Sequence, residues 1–175
     1  METVKQLPKT IKLFKFARKE ASLHGDYKIA AMPRISEIAR NTEDRVKVDL
    51  SFYLENDKTP CIKGIIKANI ILDCQRCLEA LPLELNVLFN LAFVRHESQA
   101  EELDTSFEIY NIGEEEDLDS IDLITDEILL SIPMAPSHDF DCSLKIDKEK
   151  EIVEKISKNP FDVLKNIKMA DFGKE

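Results

Sequence analysis

The sequence predicts an α+β fold: an antiparallel β-meander with a few helices packed on it and a Cys-x-x-Cys pair at the tip of one hairpin. Three runs lead there. Val46, Val48, Leu50, Phe52 and Leu54 alternate with mostly polar residues. Ile62, Gly64, Ile66, Ala68, Ile70 and Leu72 repeat the period, and Leu81, Leu83, Leu85, Val87, Phe89, Leu91 and Phe93 repeat it again. Successive side chains of a strand point to opposite faces, so each run presents one apolar face. The connections between them are too short for the crossover that parallel pairing needs, which leaves an antiparallel meander. Its apolar face must be covered by helices or a second layer.

The other elements follow along the chain. Residues 1–20 place Ile11, Leu13, Phe14 and Phe16 among Lys5, Lys9, Lys12, Lys15, Arg18 and Lys19, the pattern of an early strand with basic flanks. Pro33 opens a short helix over 33–40. Residues 97–119 form an acidic loop, with a short strand around Phe107, Ile109 and Ile112. A helix starts at Asp119 or Ser120, both good N-caps. Ile121, Ile124, Ile128 and Ile132 share one of its faces, Asp122 suits the positive end of its dipole, and Pro133 stops it. The Pro133–Pro136 segment is extended and delivers His138 and Cys142. Asn159-Pro160-Phe161 opens a last helix, lined by Phe161, Leu164 and Ile167. The organisation expected is one domain over 1–144 and a helical tail over 145–175.

Of the 175 residues, 43% are hydrophobic and 33% charged, enough apolar material to form a core. The first eight residues lack the apolar stretch of a signal peptide, and no run approaches a membrane span. A cytoplasmic protein with no membrane contact is expected, and its four cysteines are then thiols or metal ligands. The net charge of −10 is concentrated in one block: residues 96–144 hold 15 acidic residues and no Lys or Arg, while residues 1–95 hold 16 basic against 12 acidic. A low global pI therefore does not exclude an RNA partner.

Cys74 and Cys77, two residues apart on a tight turn, can share one metal, and zinc requires four ligands in a tetrahedron. His138 and Cys142 are the pair available to complete it. Cys61 lies at the far end of the strand leading to Cys74, about 40 Å away if that strand is straight. Reduced thiols and a redox pair are the competing readings. A redox Cys-x-x-Cys opens a helix, whereas here a strand pattern follows. Four scattered glycines exclude phosphate-binding and dinucleotide loops, and no hydrolase or zinc-protease motif occurs. Asp126 and Glu127 are adjacent on a helix, so their carboxylates diverge, and they read as a solvated face. A binding factor rather than an enzyme is expected.

Several segments together resemble the YceD family over about residues 1–170. They are Asp73-Cys74-Gln75-Arg76-Cys77-Leu78-Glu79; Ile121-Asp122-Leu123 leading to Asp126-Glu127-Ile128-Leu129-Leu130-Ser131-Ile132-Pro133; Pro136-Ser137-His138; Cys142; and Asn159-Pro160-Phe161-Asp162-Val163-Leu164-Lys165. The resemblance implies a small bacterial cytosolic protein required for accumulation of 23S ribosomal RNA, through its synthesis, processing or stability. It also implies a genetic neighbour encoding a small large-subunit ribosomal protein, and it carries over no catalytic residue. Two partners are consistent with the charges. Precursor rRNA or an assembling large subunit would meet Lys12, Lys15, Arg18, Lys19 and Arg76. Alternatively, Glu114, Glu115, Glu116 and Asp117 would hold a basic ribosomal protein, and the rRNA effect would be indirect.

Overall fold

The computed structural model describes residues 3–4, 7–101, 103–114 and 117–142; at Thr3 and Val4 it describes the backbone alone. The strands are β1 (Thr3–Val4), β2 (Thr10–Lys12), β3 (Ser22–Lys28), β4 (Arg45–Glu55), β5 (Thr59–Asp73), β6 (Ala80–Val94), β7 (Glu108–Asn111) and β8 (Asp117–Asp119). The helices are α1 (Leu13–Arg18), α2 (Pro33–Ser36), α3 (Glu97–Ala100) and α4 (Ser120–Ser131), with one 3₁₀ turn at Ile29–Ala31. Met1–Asp141 form one compact unit. The predicted 97–119 loop thus contains α3, β7 and β8, and the expected Asn159–Lys165 helix lies outside the described residues.

The three alternating runs are β4, β5 and β6, joined as the expected antiparallel meander at the centre of a six-stranded sheet ordered β1-β3-β4-β5-β6-β7. The sheet is antiparallel except at its edges, where β1 lies parallel to β3 and β7 parallel to β6. β2 and β8 make a separate antiparallel pair. Val46, Val48, Leu50 and Phe52 bury one face of β4, while Lys47, Asp49 and Ser51 stay exposed on the other. The buried face packs with Leu13 of α1 and Leu123, Ile124 and Ile128 of α4 in one core.

Two local readings are corrected. The early strand is confined to β2, and Leu13–Arg18 is helical because Leu13 and Ala17, four apart, are the residues it buries. β3 was not expected, since its period of two runs Leu23, Gly25, Tyr27 and loses its middle side chain. Gly25 is there because Leu7 lies over it: a Cβ would come within 3.0 Å of the Leu7 Cγ.

Candidate metal centre and basic cleft

The β5–β6 hairpin closes at Cys74–Glu79 by a 2.9 Å bond from Cys74 N–H to the Glu79 carbonyl and a 2.8 Å bond from Leu78 N–H to the Cys74 carbonyl. Leu78 takes a positive φ of 63° to complete the turn. This folds Cys77 back toward Cys74. After α4, the extended segment returns to the same turn, where Gln75 N–H donates to the Pro136 carbonyl at 2.8 Å. The Arg76 guanidinium donates to the carbonyls of His138 and Phe140, clamping the segment to the hairpin tip. The His138 ring stacks on Phe140 with centroids 4.8 Å apart.

The result is a cluster of Cys74, Cys77, His138 and Cys142 whose ligand atoms all lie within 4.8 Å of one another. Cys77 Sγ is 3.5 Å from His138 Nδ1. Bond lengths of about 2.3 Å to sulfur and about 2.05 Å to nitrogen put the S···N edge of a zinc tetrahedron at about 3.6 Å. The protonation pattern suits a ligand too. His138 Nε2 lies 3.3 Å from the Ala80 carbonyl, which only accepts, so Nε2 carries the proton and Nδ1 keeps its lone pair toward the sulfurs. Burial alone would push the Cys74 thiol up. The backbone N–H groups of Cys77, Arg76 and His138, with the Cys77 side chain, outweigh it and hold Cys74 down at about 5. A preformed thiolate is the state a metal needs. Cys61, deep in β5, is pushed up to about 11 by burial and stays a thiol. Among the described residues, no other group of His, Cys, Asp or Glu is close enough to hold an ion.

A second feature is a cleft of about 630 Å³ where α1, the β4–β5 turn, the end of β6 and α3 meet. Lys15, Arg18, Lys19, Lys58 and Arg95 line it together with Phe14 and Phe93, and among the described residues no carboxylate does. The Arg95 guanidinium lies over the Phe14 ring, 5.1 Å from its centroid. Three of the five basic residues singled out from sequence, Lys15, Arg18 and Lys19, come together here. Lys12 is on β2, in register with Asp117, and Arg76 is committed to the hairpin tip. Lys58 and Arg95 carried no local signal. Lys58 arrives through a turn in which Asn56 and Asp57 both have positive φ, and Arg95 through the length of β6.

Of the acidic residues singled out, Glu114 and Asp117 are exposed, and Glu115 and Glu116 lie outside the described residues. Glu127, expected on a solvated face, is buried instead at 7% exposure, because that face of α4 lies against β6 and β7. No helix among the described residues is long and apolar enough to cross a membrane.

Fold and site define a β-meander protein carrying a Cys₃His cluster at a hairpin tip and a separate basic cleft at the other end of that hairpin. The family model for the large ribosomal RNA subunit accumulation protein YceD matches residues 62–168. The chain is also 31% identical over 173 residues to the Haemophilus influenzae protein of that name, covering 96% of this chain and 99% of the relative. The chain therefore belongs to the YceD family. No solved structure matches it.

Proposed function

We propose that this protein supports accumulation of 23S ribosomal RNA in the cytoplasm by binding precursor rRNA or an assembling large subunit through the basic cleft. The name of its relatives supplies the process. The observation that carries the contact is the cleft itself: three cations from α1 and its C-cap, one from the β4–β5 turn and one from the end of β6 line a single concave surface, which concentrates positive potential and draws an anion. The part-exposed Phe14 ring in the wall suits a nucleotide better than a bare phosphate. The role is one of binding and assembly, not catalysis. Four protein ligands would close a zinc tetrahedron and leave no position for a substrate, so the metal would be structural, holding the segment after α4 on the β5–β6 hairpin.

The test is crosslinking in living cells, purification under denaturing conditions, and identification of RNA and protein adducts. Reproducible crosslinks to precursor 23S rRNA are expected, and they should fall to background when Lys15, Arg18 and Lys58 are all changed to Ala. In vitro, the same triple variant should flatten the salt dependence of RNA binding by about 0.7 log unit per lost phosphate contact. Crosslinks to a basic ribosomal protein alone, with RNA at background, would overturn the reading.

A further inference from the structure

A second surface is made where β7 and α4 meet. β7 is the outermost strand of the six-stranded sheet, so its outer edge has no strand partner among the described residues. Between it and α4 runs a groove of about 380 Å³ whose apolar wall is formed by Leu91, Leu129 and Leu130. Leu130 is 78% exposed, a large value for an apolar side chain with no polar group to solvate.

Three carboxylates, Glu108, Asp126 and Glu127, line the same groove against one cation, Arg34, which is bonded to Asp126. Glu127 is 93% buried and faces the groove with no hydrogen bond or ion pair among the described residues; the groups that act on it are Glu108 and Asp126, both repulsive. A carboxylate that lines a groove among like charges is costly without a cation, and residues 96–144, which supply both walls apart from Leu91 and Arg34, contain no Lys or Arg to offset it. The carboxylates do not converge closely enough to be a metal site. A second copy of the chain would bring Glu108 and Asp126 against their own equivalents, so charge disfavours self-pairing along this edge.

We propose that the groove between β7 and α4 is a docking site for an extended basic polypeptide segment, which adds as a strand to the edge of β7, seats an apolar side chain beside Leu130 and sets a cation against Glu127. Strand addition supplies main-chain hydrogen bonds, and alternate side chains supply the selectivity. The surface is distinct from the basic cleft, and the proposal stands without the RNA reading.

Calorimetric titration of the full-length protein tests it, with a capped nonapeptide that alternates lysine and leucine on one face and has threonine on the other. Saturable one-to-one binding is expected. A peptide with glutamate for lysine should not bind, nor should the lysine peptide N-methylated at alternate residues. Glu127→Gln should weaken binding at least about ten-fold while the protein stays folded by circular dichroism. Glu114→Gln with Asp117→Asn, elsewhere in the acidic block, should leave the affinity unchanged. Absence of binding, equal binding of the glutamate peptide, or an unchanged affinity in Glu127→Gln would overturn the proposal. So would a dimer in light scattering that Leu130→Asp dissolves, since the occupant would then be a second copy.

Discussion

Glu127 shows how one side chain can report the state of a surface. Burial, then the charges of Glu108 and Asp126, push its carboxyl from an ordinary 4.5 up to about 7. Between those values the folded chain holds a proton that the unfolded chain has released. Stability therefore falls as pH rises through that window, and the whole deficit is present above it. Screening in the open groove reduces the deficit to about 1 kcal/mol. Glu127→Gln should accordingly be more stable than the parent by about 1 kcal/mol near pH 8 and equal to it below about pH 4.5, measured by urea unfolding at the two pH values. A variant less stable at both would mean that the carboxylate is satisfied by a partner and carries no penalty.

At the scale of elements, the β5–β6 hairpin matters most, because it carries the Cys-x-x-Cys turn at one end and Phe93 and Arg95 of the cleft at or just beyond the other. Its register is pinned at its middle by Gly64, which stands directly opposite Phe89. A Cβ on Gly64 would lie 2.0 Å from the Phe89 Cζ, so the ring rests on bare backbone. Gly64→Ala should cost about 1–3 kcal/mol by overpacking. Adding Phe89→Leu should recover part of it, giving a coupling energy of opposite sign in a double-mutant cycle; simple additivity would show that the ring does not set the register. α4 depends on its first turn. The Asp119 carboxylate accepts from Ile121 N–H at 2.8 Å and Asp122 N–H at 3.2 Å. Asp119→Ala should cost about 1 kcal/mol in thermal unfolding.

For the molecule as a whole, the charge is divided between surfaces: a cation-lined cleft at one place and a carboxylate-lined groove at another. A protein that met RNA and a basic polypeptide at once would need this separation, since a mixed surface would attract both weakly. The Cys₃His cluster ties chain segments more than 60 residues apart, through contacts such as Cys77 Sγ to His138 Nδ1. Protein purified without chelator should hold about one equivalent of zinc. Stripping it should lower the melting temperature by about 10 °C, the shift for a loss of about 3–5 kcal/mol in a chain of this size. Cys77→Ser should show the same lower melting temperature with or without zinc. A full-length protein that melts identically with and without chelator, and carries well under half an equivalent, would remove the metal from the account.

How much of this was legible from residues alone depended on the range of the forces involved. The meander, its apolar face, the capped helix and the hairpin tip are written in local periodicity, because a period of two and a capping residue act within a few positions of the chain. The Cys-x-x-Cys spacing likewise pointed to where a metal would sit, with His138 and Cys142 the pair available to complete the ligand set. Gly25 hid β3, because what it accommodates is Leu7, a contact no local window contains. Lys58 and Arg95 joined the cleft, and Glu127 left the solvent, only through tertiary packing. Convergence of charge and burial of a carboxylate depend on which elements meet in space, and long-range contacts between sheet and helices decide that.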